Sequence, residues 1–184
     1  MNRKKNIFII GILCLFVVTA SFIQIYRVNA AYPSAKQVYI PFSKIHMLEE
    51  GINLSVISSK WLNNEAVREK YGEYLDLGSS DMKVVYATVE IQNITDKEMK
   101  VPLYKLYIES DLHYCNGLDL EMYMIDNTNQ PVEINLKSKE KVTVSLPYSI
   151  YSFQFKENEW NSIEDYNFYL VNSRYPVKYC WELK

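Results

Sequence analysis

Within residues 82–95, Val85, Ala87, Val89 and Ile91 fall on one side, and Tyr86, Thr88, Glu90 and Gln92 on the other. A period of two sends successive side chains to opposite faces of a pleated strand, so that one face packs a core and the other meets water. Asn93-Ile94-Thr95-Asp96-Lys97 then supplies turn-forming side chains, and Met99, Val101 and Leu103 resume the alternation. That succession predicts a β-hairpin.

The same reading along the chain predicts an edge strand at 37–40, limited by Pro41, and a first full strand at 52–62 carrying Leu54, Val56 and Ile57. Further strands are expected at 104–109, at 118–125 (through Leu118, Leu120, Met122 and Met124) and around Val132 and Ile134. The remaining ones fall at 139–147, at 151–155 with Phe153 and Phe155 inward, at 166–171 and at 177–183. Residues 126–131 read as a strong turn, and 157–165 as an interruption with one helical turn. At 63–75 the period changes: Asn63 or Asn64 can cap, and Val67, Tyr71, Tyr74 and Leu75 recur at helical spacing. About seven to nine short strands at regular turn spacing, with one helical insert, predict an all-β chain folded as an antiparallel β-sandwich. A parallel α/β fold needs a helix between consecutive strands, and that pattern is absent here.

The N-terminus carries a second message. Arg3, Lys4 and Lys5 precede residues 7–25, which contain no charge. Nineteen residues rise about 28 Å as a helix, close to a hydrocarbon core of about 30 Å. The apolar region of a cleaved signal peptide is about 7 to 15 residues long, which favours an uncleaved anchor, whereas Val28-Asn29-Ala30 ahead of Ala31 has the small-x-small form of a cleavage site. Both readings stay open. Leu13 before Cys14 disfavours lipidation, which requires a small residue there. Basic residues ahead of the span keep the N-terminus in the cytoplasm and send the remainder outward. The expected localisation is therefore a single-pass membrane protein with its C-terminal domain outside, or a secreted domain after cleavage near Ala30. The expected organisation is a leader over 1–31, a tether and edge strand over 32–51, and the sandwich over 52–184.

Charge divides along the same line. Of 20 Lys and Arg against 22 Asp and Glu, Arg3, Lys4, Lys5 and Arg27 lie before Tyr32 with no acidic residue, leaving 16 basic against 22 acidic and a net charge of −6. An acidic domain without a basic stripe lacks the counterion-releasing footprint of nucleic-acid binding, and an anionic lipid surface repels it. Nucleic acid is not an expected partner. Membrane contact is expected through residues 7–25.

The run from Lys83 to Lys97, with its strand leading into Asn93-Ile94-Thr95 behind a membrane-targeting segment, resembles the opening of immunoglobulin-like domains of unknown function on Gram-positive bacterial surfaces. They include the family mislabelled telomeric-repeat-binding-factor-like. The resemblance extends from about Ser55 to Lys184 and implies an immunoglobulin-like sandwich outside the cell, with no established activity. The helical insert at 63–75 and the many tyrosines depart from the commoner pattern, and no functional residue carries over.

Motifs for chemistry are sparse. His46 and His113 lie far apart with no HExxH, and no CxxC pair, G-x-S-x-G elbow, phosphate loop or dinucleotide fingerprint occurs. No catalytic, metal or cofactor residue is assigned. Asp119, Glu121, Asp126, Asn127 and Asn129 lack the ordered series of a calcium loop ending in a bidentate Glu, and read as turn-forming groups. Cys115 and Cys180 are candidates for a disulfide closing a loop of about 65 residues, for which chain entropy gives roughly 4 kcal/mol. The alternative is two unpaired thiols, because Cys180 falls on the face of Lys178 and Glu182. Sixteen tyrosines supply rigid amphipathic contact surface suited to interfaces, although Tyr also simply suits half-buried strands. Tyr86, among Thr88, Glu90 and Gln92, is the best candidate for an exposed, partner-binding aromatic, with Tyr104 and Tyr107 on the adjacent strand region. The function expected is recognition of a protein or peptide partner at the cell surface, without catalysis. The alternative is a structural accessory or immunity subunit of a membrane complex such as a transporter.

Overall fold

A computed structural model of the chain describes residues 2–128 and 130–184, with side chains from residue 8 onward except at position 174. Asn129, placed by the sequence in the turn after Asp126, lies outside the described residues. The chain divides into two compact units, Met1–Lys36 and Gln37–Lys184.

In the first unit, α1 (Asn2–Ala31) is a helix of 30 residues. Its apolar part, Phe8–Ala31, spans 24 residues, about 36 Å of rise. The hydroxyls of Thr19 and Ser21 donate to the carbonyls of Leu15 and Val17, at 2.8 and 2.9 Å. Each of these hydroxyls finds a partner within the helix, as an apolar surrounding requires. The helix is consistent with a signal sequence or an anchor.

The second unit follows in the order β1 (Lys36–Ile40), β2 (His46–Glu49), β3 (Ile52–Leu62), α2 (Asn64–Tyr71), β4 (Met82–Asn93), β5 (Met99–Pro102), β6 (Tyr107–Ser110) and β7 (Cys115–Gly117). It continues through α3 (Leu120–Asp126), β8 (Glu133–Leu136), β9 (Lys141–Tyr151), α4 (Glu157–Asn161), β10 (Phe168–Arg174) and β11 (Val177–Leu183). A five-stranded sheet in the order β1-β11-β10-β6-β7 faces a four-stranded sheet in the order β2-β3-β4-β9, and β5 pairs with β8 alone. Val85, Ala87, Val89 and Ile91 of β4 join Leu54 and Val56 of β3, Leu146 and Tyr148 of β9, and Ile108, Leu170 and Trp181 of the opposing sheet in one core. Trp61 meets Phe168 edge-on across that core, with ring centroids 5.1 Å apart. The side-chain amide of Asn172 on β10 donates to the Leu48 carbonyl on β2 at 2.9 Å, which ties the two sheets directly. The fold is a β-sandwich of mostly antiparallel sheets.

Several expectations are corrected. The β4–β5 hairpin does not form, because β4 pairs with β3 and β9 while β5 crosses to β8. Helical insertion is not confined to one segment: α2, α3 and α4 are all present among the described residues. The stretch read as a strand at 118–125 is largely α3, because Asp119 caps it by accepting from the Met122 amide at 3.1 Å. Met122 and Tyr123 are therefore buried and Leu120 and Met124 exposed, the reverse of a period-two assignment for Leu120 and Met124. Phe153 is 73% exposed rather than inward, since a 3-10 turn at Ser152–Gln154 replaces the strand and the ring stacks on Tyr151. Ile57 is exposed where a bulge shifts the β3–β4 register between Val56 and Ser58.

The outer faces of the two main sheets differ. On the four-stranded sheet, Val67 and Tyr71 of α2 and Met122 of α3 form a second apolar cluster with Met82, Val84 and Tyr86 of β4. Asn63 starts α2 by accepting from the Ala66 amide at 3.0 Å, and Val67 and Tyr71, four residues apart, share its buried face.

Candidate functional site

Register assigns the outer face of the five-stranded sheet. Glu109, Tyr169 and Glu182 lie side by side on β6, β10 and β11, and Tyr107, Val171 and Cys180 form the next row. The alternating positions Ile108, Leu170 and Trp181 are the fully buried inner row. Tyr39 of β1 meets Tyr169 edge-on, with ring centroids 5.2 Å apart. The Tyr39 hydroxyl donates to Gln37 at 2.7 Å, and Lys178 forms a close ion pair with Glu109. Tyrosine thus recurs on this face at positions 39, 107 and 169.

Here a cleft of about 240 Å³ is lined by Gln37, Tyr39, Glu109, Asp111, His113 and Tyr169, with Cys180 also on its wall. The Asp111 carboxylate accepts from the Asn167 amide at 2.6 Å, and Glu182 accepts from the Phe42 backbone at 3.4 Å. Burial, then the nearby Asp111 carboxylate, Tyr39 and Glu182, raise the Tyr169 phenol above its ordinary range. Burial and the Glu109 carboxylate do the same at Tyr107. Both phenols therefore stay protonated at neutral pH.

The sequence-predicted aromatics do not form one patch. Tyr107 is half-buried on the five-stranded sheet and Tyr104 is half-exposed in a 3-10 turn at Leu103–Lys105, but Tyr86 sits on the outer face of the other sheet and is only 2% exposed. Its expected exposure is corrected because α2 and α3 cover it. The Tyr86 and Tyr71 hydroxyls lie in close contact with each other and with one Asp126 oxygen, which is 2.6 Å from Tyr71 and 3.0 Å from Tyr86, so their two protons are shared among these three oxygens. Lys70 pairs with the other Asp126 oxygen at 2.7 Å and donates to the Tyr86 hydroxyl at 3.0 Å. The ammonium is thereby neutralised where it lies over the Tyr71 and Tyr86 rings, 4.8 and 4.7 Å from their centroids. This network holds both helices to the sheet. It also floors a more open cleft of about 350 Å³ bounded by Ser58, Lys60, Thr88 and Ser145.

Cys115 and Cys180 are free thiols, as is Cys14. Two strands, β6 and β10, separate β7 from β11, so three interstrand steps of about 4.8 Å lie between the two outer cysteines. A disulfide needs Cα atoms within about 7 Å, and the expected bridge is excluded by strand order. Of the groups weighed for calcium, Asp119 caps α3 and Asp126 is engaged by Lys70 and the two tyrosines.

Residues 35–179 match the model of a family described as a domain of unknown function, DUF5028. The chain belongs to this family. The DUF5028 domain is similar in structure to the yjhA protein from Bacillus subtilis, at 13% identity and a TM-score of 0.45, covering 78% of this chain and 98% of that one. An uncharacterized beta-sandwich protein from Clostridium difficile 630 gives 8% identity and a TM-score of 0.44, covering 82% and 97%. A conserved hypothetical protein from Bacillus anthracis gives 14% and 0.48, covering 78% and 94%. No curated protein matches the sequence.

Within the DUF5028 domain, sequence reasoning missed Tyr39, Asp111 and Tyr169. The alternation of Phe168 and Leu170 with Tyr169 and Val171 carried the facing of Tyr169. What it did not carry is that β1, β6 and β11 bring Tyr39, Glu109 and Glu182 to the same surface.

Proposed function

We propose that this chain is an extracytoplasmic, membrane-tethered binding module of immunoglobulin-like form that recognises a protein or peptide partner at the cell surface through the outer face of its five-stranded sheet. One observation carries the reading. That face presents Tyr39, Tyr107 and Tyr169 beside a cleft, whereas the corresponding face of the four-stranded sheet is occupied by α2 and α3 where its own tyrosine lies. Tyrosine offers large rigid contact area and a hydroxyl at small entropic cost, the combination that protein interfaces favour. The apolar α1 supports tethering, and the acidic surface of the outer part supports selection of partners by charge.

The test is photocrosslinking in native membranes, with a photoreactive phenylalanine analogue placed at Tyr39 and, in a separate protein, at Phe153. A discrete protein adduct from position 39 that is lost on Tyr107→Ala, with none from position 153, supports the reading. Equal labelling from both positions overturns it. An adduct that survives Tyr107→Ala but disappears when residues 7–25 are replaced by a generic apolar helix supports instead an accessory subunit working through its membrane segment.

A further inference from the structure

We infer that the cleft lined by Tyr39, Tyr169 and Asp111 accepts a basic side chain, lysine or arginine, of the protein partner. This rests on the proposed role of the five-stranded face and specifies what that face selects. Two tyrosine rings meet edge-on at 5.2 Å and form an aromatic corner. The ring quadrupole presents a negative face to any cation within about 6 Å. Asp111 stands at the rim, and its partner among the described residues is the neutral amide of Asn167. Glu109 and Glu182 flank Tyr169 on either side in the strand register. Lys178 engages Glu109 and Lys184 approaches Glu182 at 3.6 Å, whereas Asp111 has no ion-pair partner among the described residues.

Size points the same way. A volume of about 240 Å³ falls below the usual range of about 300–1,000 Å³ for whole small-molecule sites, and suits one long side chain entering from a neighbouring surface. The cleft on the four-stranded sheet lacks this asymmetry, because Lys70 and Asp126 neutralise each other there. A basic side chain laid against this corner gains aromatic contact along its length and the Asp111 carboxylate at its head.

The experiment uses the full-length protein in a non-ionic detergent, labelled with 3-fluorotyrosine, with the Tyr39 and Tyr169 fluorine signals assigned through Tyr39→Phe and Tyr169→Phe. The probe is an acetylated and amidated pentapeptide, Gly-Gly-Lys-Gly-Gly, against the same peptide with uncharged norleucine for lysine. Saturable shifts of both signals by the lysine peptide are expected, with binding weakened about tenfold by the norleucine exchange and by Asp111→Asn. Equal binding of the two peptides, or no effect of Asp111→Asn, overturns the inference. Tighter binding of free choline than of the lysine peptide overturns the assignment of the cation to a protein side chain. Failure of the lysine peptide while the crosslinked partner still depends on Tyr107 removes the cation assignment alone; loss of both removes the interface as well.

Discussion

The Asn93 side-chain amide donates to the Leu136 carbonyl at 3.1 Å, across 43 residues of sequence. It also donates to the carbonyls of Lys97 at 2.6 Å and Lys137 at 2.9 Å, while its oxygen accepts from the Thr95 amide at 2.9 Å and hydroxyl at 2.8 Å. One fully buried side chain therefore pins the turn leaving β4 to the turn entering β9. The Asn-x-Thr sequence has this structural use: Thr95 holds the amide in the orientation that faces three carbonyls.

Replacing Asn93 by Ala leaves those carbonyls without their shared donor in a buried site. We expect a loss of about 3 kcal/mol, read as a lower urea midpoint at unchanged slope. Asn93→Asp turns the donor into an acceptor facing three oxygens, and the loss should be at least as large. A loss below about 1 kcal/mol for both variants would contradict the pinning role.

Tyr148 poses the opposite case. Its ring is fully buried in the main core, and its hydroxyl has no hydrogen-bond partner among the described residues. Tyr148→Phe removes a desolvated hydroxyl and keeps the ring, so thermal unfolding should show no loss, or a gain of about 1 kcal/mol. A marked fall in melting temperature would mean that the hydroxyl is bonded in solution.

The two outer cysteines should separate in reactivity. Cys115 is exposed, whereas Cys180 is 2% exposed and burial raises its thiol pKa, so little thiolate forms there. Without reductant, native protein treated with iodoacetamide should be modified at Cys115 about a hundredfold faster than at Cys180, and after denaturation at both. Peptides joined through Cys115 and Cys180 in the unreduced digest would refute the strand order.

How far this was readable in advance depends on the distance over which each feature is decided. Alternation within 82–92 correctly separates Val85, Ala87, Val89 and Ile91 as the core face, because strand facing is a local property. Whether the opposite face meets water is not local: Tyr86 is covered by Tyr71, 15 residues earlier in the chain, and bonded to Asp126, 40 residues later. The 118–125 segment satisfies both a strand pattern and a helix pattern. The deciding signal was Asp119 at the cap position, three residues before Met122. The cleft beside Tyr169 depends on β1 joining β11 and β6 joining β10, which no spacing in the chain encodes.

The Tyr71–Tyr86–Asp126 network makes stability fall at high pH, with a sign that follows from proton linkage. Burial first, then the Asp126 charge, lifts the Tyr86 phenol far above its usual value of 10.0, and burial does the same at Tyr148. The folded state keeps these protons where the unfolded chain releases them. Their contribution is therefore complete below pH 10 and is lost as pH rises above it, by about 1.4 kcal/mol per pH unit for each such tyrosine. Urea unfolding between pH 8 and 11 should show a steepening decline above pH 10. Tyr86→Phe should start about 1–2 kcal/mol lower at neutral pH, having lost its bonds to Tyr71 and Asp126, and then decline less steeply. If the two profiles run parallel above pH 10, Tyr86 ionises as freely folded as unfolded, and the buried network described here does not exist in solution.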